Sequence, residues 1–224
     1  MSVFDNDAST YDQWYTTPMG RHVDYVETSC ALGLLQPFSG MKILDAGCGT
    51  GNFSLKLARI GCRVTGIDVS EKMLAFAEQK VREEKLDVDF RIMDVCSLSF
   101  GDETFDAVTS MAAFEFLNDP ELAMEEMFRI LKKNGALLIG TINKESPWGE
   151  LYRALAKKDG NVFRHARLKT EEDLRKFTPS SLVAVEECLF APPDAKEDDL
   201  SREKEIEFSD NGRGGFLCAL WKKS

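Results

Sequence analysis

Residues Ile43-Leu44-Asp45-Ala46-Gly47-Cys48-Gly49-Thr50-Gly51 run from a mostly apolar stretch into three glycines at alternate positions. Such a segment reads as a buried strand entering a loop that opens a helix, because glycine reaches backbone torsions closed to other residues and lets the chain approach a ligand closely. In doubly wound sheets, ligands bind beyond the carboxyl ends of the strands at the switch point, so this turn marks where a nucleotide-like cofactor would sit. A glycine turn taken alone is a weak signal. Its surroundings decide the matter.

Around the turn, short apolar runs alternate with longer stretches of helical spacing. Strands are predicted at 42–46, 63–68, 88–93, 105–110 and 136–142, and helices at 52–60, 70–85 and 120–131, with Ser70 and Asp119 as N-caps and Pro120 at the first helical position. This alternation specifies βαβ units. The expected fold is α/β and doubly wound: a mostly parallel seven-stranded sheet with helices on both faces. Val23, Val26, Cys30 and Leu34 place an amphipathic helix before residue 40. Residues 1–40 are therefore read as a helical lid segment, and 41–224 as the main domain with an insertion at about 143–180. In the insertion one helix enters through Ser146-Pro147 and another begins at Thr170. The last strands are read at 182–190 and 216–221, and the charged stretch 194–207 as a solvated loop or hairpin connection.

The glycine spacing excludes a dinucleotide fingerprint, since Asn52 occupies the place of the third glycine of Gly-x-Gly-x-x-Gly. The next strand ends in Asp68, about twenty residues beyond the first glycine, where a carboxylate can accept from ribose hydroxyls. Asp94 closes the following strand. Asp45, Asp68 and Asp94 thus converge on one cleft.

These residues resemble the class I S-adenosylmethionine-dependent methyltransferases, specifically the small-molecule group with the type 11 methyltransferase domain. Asp45-Ala46-Gly47-Cys48-Gly49-Thr50-Gly51 is similar to that family's first motif, Gly66-Ile67-Asp68-Val69-Ser70 to its second, and Asp94-Val95 to its third. Phe105-Asp106-Ala107-Val108 and the run from Glu125 to Gly135 are similar to the fourth strand and the helix and turn before the fifth. Lys133-Asn134-Gly135 departs from the Pro-Gly-Gly of many relatives, at a turn away from the cofactor. The resemblance implies S-adenosylmethionine as cofactor. It implies that Asp45 orients the glycine loop or reaches the cofactor's amino group, and that Gly47, Cys48, Gly49 and Gly51 face its methionine part and adenosine. Asp68 would hold both ribose hydroxyls, Val69 and Met73 would lie against the adenine, Asp94 would receive the adenine amino group, and Val95 would stack nearby. Tyr11, in a Tyr-Asp pair packed over the cofactor, and Met111 complete the set. A sulfonium without phosphate asks for carboxylates and carbonyls, not for lysine.

Methyl transfer from a sulfonium draws on proximity, alignment and exclusion of water. Where the acceptor is a hydroxyl or an acidic carbon a base helps, and Glu115, flanked by Phe114 and Phe116 beyond the fourth strand, is the candidate. His22 and His165 fall in no recognisable triad. Trp148, Tyr152 and the segment Phe163-Arg164-His165-Ala166-Arg167-Leu168-Lys169 suggest a clamp for an acidic or aromatic acceptor.

A formal net charge of −10 gives no electrostatic footprint for nucleic acid. No apolar run approaches the ~18 residues of a membrane helix, and residues 1–7 lack the basic and apolar regions of a signal peptide, so a cytoplasmic protein acting away from membranes is expected. The six cysteines lie apart in sequence with no metal-ligand spacing, so reduced, mostly buried thiols and no metal are expected. The expected partner is a small-molecule methyl acceptor, with oligomeric state open. Two other functions stay open: a catalytically inactive cofactor-binding partner subunit, and a nicotinamide-dependent oxidoreductase, disfavoured by Asn52 and by the absence of a second nucleotide half.

Overall fold

The computed structural model describes residues 8–224; residues 1–7, read above for a signal sequence and as the start of the lid, lie outside the described residues. In chain order the elements are α1 (Ala8–Trp14), α2 (Pro18–Leu35), β1 (Lys42–Ala46), α3 (Asn52–Arg59), β2 (Arg63–Asp68), α4 (Glu71–Glu84), β3 (Val88–Ile92), β4 (Phe105–Met111), α5 (Pro120–Ile130), β5 (Leu131–Ile142), α6 (Pro147–Leu155), α7 (Glu171–Lys176), β6 (Leu182–Cys188), α8 (Arg202–Ser209) and β7 (Phe216–Lys222). The seven strands form one sheet in the order β3-β2-β1-β4-β5-β7-β6. The pairs among β1 to β5 are parallel, and β7 is inserted antiparallel between β5 and β6. The doubly wound α/β class is as expected. The sheet grows in both directions from β1, so the carboxyl ends of β1 and β4 border the switch-point crevice.

Successive residues of a strand face opposite sides of the sheet, and the core divides accordingly. Ile43, Leu138 and Cys218 join Val23, Ala31, Phe53 and Leu57 of α2 and α3 on one face. Leu44, Leu137 and Ala219 join Met124, Met127 and Ile130 of α5 on the other. α2 is thus built into the core, whereas no residue of α1 belongs to either cluster. Among the described residues no helix is long and apolar enough to cross a membrane.

Two elements differ from the sequence reading. Lys133-Asn134-Gly135, read as a turn, lies inside β5, which begins at Leu131 opposite Phe105 and passes a register shift before Ala136. Asn134 takes φ +61°, a left-handed conformation that asparagine tolerates, so the strand continues through the irregularity. Within 194–207, read as loop, α8 forms behind a Ser201 cap whose hydroxyl accepts from the Lys204 N–H at 3.2 Å. What fixes α8 is remote in sequence: Glu205 accepts from the backbone N–H groups of Phe190 (2.6 Å) and Ala191 (3.1 Å) and pairs with His22 Nε2 at 2.7 Å. Local polarity alone could not reveal those partners.

Candidate active site

The glycine turn is held by its own backbone. The N–H groups of Gly47 and Cys48 both donate to the Ile67 carbonyl, at 2.8 and 2.9 Å, and Gly51 N–H donates to Cys48 O at 2.8 Å. Gly47, Gly49 and Gly51 have φ of +72°, +53° and +78°. A Cβ on Gly47 would lie 2.6 Å from that of Ala113, whereas one on Gly49 would meet nothing within 4 Å. Gly49 therefore faces an open cradle. Gly47→Ala is expected to cost about 1–3 kcal/mol through left-handed strain and the clash, read by chemical denaturation. Gly49→Ala carries the same left-handed strain without the clash, and should in addition lower ligand affinity, read by calorimetry, because its methyl enters the cradle.

Asp68 closes the turn from β2. Its Oδ2 accepts from Gly49 N–H at 2.9 Å and its Oδ1 from Ser70 N–H at 2.8 Å, so the carboxylate is locked in orientation at the edge of the cradle. Asp45 is used differently: it is buried, with its oxygens taken by the hydroxyls of Ser54 (2.5 Å) and Thr109 (3.0 Å). Burial, opposed by those two hydrogen bonds, raises its pKa to about 6. It ties β1 to α3 and β4 beneath the loop, which favours the orienting role over contact with an amino group.

Three joined compartments surround the turn. The first is lined by Asp45, Gly47, Cys48, Gly49, Asp68, Met73 and Met111, with Tyr11 from α1 and Asp24, Glu27 and Thr28 from α2. The second, of about 360 Å³, shares Tyr11, Tyr15, Glu27 and Ala112 with it and is walled by aromatic rings, Trp14, Phe116, Trp148, Tyr152 and Phe163 among them. The third holds Val69, Asp94, Val95, Arg164, His165 and Arg167, and shares Gly47 and Asp68 with the first. The sequence-predicted site residues border these compartments except Gly51, where a Cβ would meet Ala77 at 2.9 Å, so it serves the turn and its packing and does not face the cofactor; Val69 and Met73, expected together, line different compartments.

Glu115 occupies a short 3-10 turn after β4 and is completely buried on the wall of the second compartment. Its Oε2 accepts from Thr141 Oγ1 at 2.9 Å, and among the described residues its Oε1 has no hydrogen-bond partner. Burial raises its pKa to about 7, against the opposing pull of hydrogen bonds and of Lys169. Across the compartment, burial also pushes Glu27 well above the ordinary carboxylate range, and the charges of Glu115 and Asp24 add to the effect. Beside Glu115, Ala112 is held at φ +50°, a left-handed strain for a residue with a Cβ.

Lys56 escaped the sequence reading, and Asp12 entered it only as a member of the Tyr-Asp pair. Asp12 fastens α1 to the glycine loop, accepting from Thr50 Oγ1 (2.8 Å), Asn52 Nδ2 (3.0 Å) and Lys80 Nζ (2.8 Å). Lys56 enters the first compartment, where no lysine was expected; it is paired with Asp24 and donates to Thr28 Oγ1 at 2.7 Å. That pairing cancels the charge conflict with a cationic ligand. The expected clamp for an acidic or aromatic acceptor divides in the structure. Arg164, His165 and Arg167 face the third compartment, and only the aromatic members Trp148, Tyr152 and Phe163 reach the second. The short turn Val162–His165 sends its side chains to different sides. The signals that could have found Asp12 and Lys56 are contacts between distant segments, invisible to a local reading.

Residues 44–139 match the Methyltransferase domain family. The chain is 33% identical over 170 residues to the demethylmenaquinone methyltransferase of Porphyromonas gingivalis, covering 73% of this chain and 69% of that one. It is 29% identical over 183 residues to a ubiquinone biosynthesis O-methyltransferase of Rhizobium leguminosarum, covering 77% and 71%. Among solved structures, a SAM-dependent methyltransferase from Thermotoga maritima superimposes with a TM-score of 0.76 at 23% identity over 99% of both chains. The [4+2]-cyclase SpnF does so with a TM-score of 0.75 at 20% identity over 99% of this chain and 93% of that one. One fold thus serves different reactions, and the side chains must decide which.

Proposed function

The chain belongs to the S-adenosylmethionine-dependent methyltransferases, and on that premise we propose that it methylates a small, largely aromatic acceptor that is uncharged or cationic. The observation that carries this reading is the buried Glu115 carboxyl, its Oε1 unpartnered among the described residues, on the wall of an aromatic compartment that adjoins the glycine loop. No Lys, Arg or His lines that compartment among the described residues, whereas Glu27 and Glu115 do. An acidic acceptor would meet two carboxyls and no counter-charge. The quinone-pathway names of the similar chains agree with an aromatic acceptor.

The cradle suits S-adenosylmethionine: Gly49 faces open space, Asp68 presents fixed acceptors for ribose hydroxyls, and Asp94 and Val95 border the adjoining compartment where an adenine would lie. When bound, the cofactor supplies a methyl group on a sulfonium that is itself a good leaving group. Lys56 and Asp24 would bind the charged ends of its amino-acid tail. Tyr11 and Tyr15, in contact at 3.3 Å between hydroxyls, close the mouth and exclude water. Glu115 would take the acceptor's proton at Oε1 while Thr141 holds Oε2 in place.

Calorimetry with S-adenosylmethionine, S-adenosylhomocysteine and NAD tests the cofactor half. Asp68→Ala is expected to weaken S-adenosylmethionine binding by about tenfold or more with the fold intact, since hydrogen bonds to a charged group are worth about 1.5–3 kcal/mol each. Unchanged affinity would remove Asp68 from the site. For the acceptor half, methyl transfer is measured over a panel of phenols, aromatic amines and aromatic carboxylates. Turnover confined to the carboxylates would refute the acceptor class.

A further inference from the structure

The cysteines, single and scattered along the sequence, do not remain apart in the fold. Cys30 of α2, Cys188 at the end of β6 and Cys218 within β7 bring their Sγ atoms within 4.8 Å of one another. All are free thiols; Cys188 and Cys218 are buried, and Cys30 is half-buried on the wall of a cleft that also holds Cys188, His22 and Glu205. None of the three lines the compartments around the glycine loop.

We propose that Cys30, Cys188 and Cys218 form a binding site for a thiophilic divalent cation, zinc foremost, that ties α2 to the β6–β7 edge of the sheet. Three sulfurs with no carboxylate among them select zinc or monovalent copper over magnesium, calcium or manganese. Zn–S bonds of about 2.3 Å set the sulfurs of a tetrahedral site about 3.8 Å apart, so closing the trio from 4.8 Å takes at most about 1 Å of movement. Charge favours the divalent ion. Three thiolates carry −3; a dication leaves −1 and a monocation −2, in a chain already at −10.

The fourth position belongs to solvent from the cleft. His22 lies eight residues before Cys30 on α2, about 12 Å of helical rise away, and its Nε2 is already engaged by Glu205 at 2.7 Å. Because Glu27 and Thr28 of the same helix line the first compartment, a metal at Cys30 would hold that wall against the sheet.

The test uses the full chain, reduced and freed of metal, then loaded with Zn²⁺ and passed through a weak chelator. One zinc per chain by elemental analysis is expected, with protection of these three cysteines from alkylation and a sulfur-to-metal charge-transfer band when Cd²⁺ replaces Zn²⁺. Tm should rise by about 5–10 °C at free zinc about 100 times Kd. Cys30→Ser, at the half-buried position, is expected to fold and to lose the bound metal; Cys30→Ala repeats the measurement without a hydroxyl. Equal zinc in the wild type and both variants would overturn the proposal. So would substoichiometric zinc in the folded, reduced wild type, or alkylation of the three cysteines unaffected by the metal.

Discussion

Glu115→Gln is expected to lower kcat by about 10²–10⁴-fold on the true acceptor, the range that a positioned general base supplies, while S-adenosylmethionine affinity stays nearly unchanged. Glutamine keeps the shape and can still accept from Thr141, now 2.9 Å from Oε2, but it cannot take a proton. In the wild type the base must be ionised. With burial holding its pKa near 7, kcat should rise with pH to about neutrality and then level, and the variant should lose that step. Stability supplies a readout independent of turnover. Between the ordinary carboxyl value of 4.5 and about 7, Glu115 is protonated in the folded chain and ionised in the unfolded one. The folded state then binds more protons, so stability falls as pH rises through that window, by about 3 kcal/mol in all for a single such group. The glutamine variant should lack this part of the pH dependence. A variant with full rate from pH 6 to 9 would leave alignment as the whole of catalysis and Glu115 as a structural carboxyl.

Much of this site was legible because its information is local. The glycines at 47, 49 and 51 announce left-handed torsions, and Asp68 ends its strand where both oxygens meet the backbone of the turn and of the next helix. Glu115 was legible by position, but its burial was not, because Thr141 and the packing of the aromatic compartment come from residues far along the chain. Asp12 illustrates the limit. A Tyr-Asp pair near the start said only that something packs over the cofactor, whereas the latch consists of Thr50, Asn52 and Lys80, three residues on two other segments. The thiol cluster was unreadable for the same reason: α2, β6 and β7 meet only through the sheet order. The basic island misled because neighbours along a short 3-10 turn diverge into different compartments.

That latch makes the second large effect specific. Removal of the residues through Tyr15 is expected to lower turnover by about 10²-fold or more, the scale on which small losses of alignment act, while shifting Tm by only a few degrees. Tyr11, Trp14 and Tyr15 line the acceptor compartment, so their loss opens it to water and removes part of the aromatic wall. None of them belongs to either hydrophobic core cluster, so the sheet and its packed helices should survive. Cutting after Tyr15 also spares Thr17, which caps α2 by accepting from Gly20 N–H at 3.0 Å. Asp12→Ala separates covering from latching: it leaves the aromatic residues in place but removes the acceptor of all three hydrogen bonds to the body. Its effect should be smaller than the truncation, and should fall on kcat/KM through a segment that closes less of the time. If the truncated chain methylates at the full-length rate, α1 is surface packing, and water must be excluded by the remaining compartment walls, Phe116, Trp148, Tyr152 and Phe163 among them.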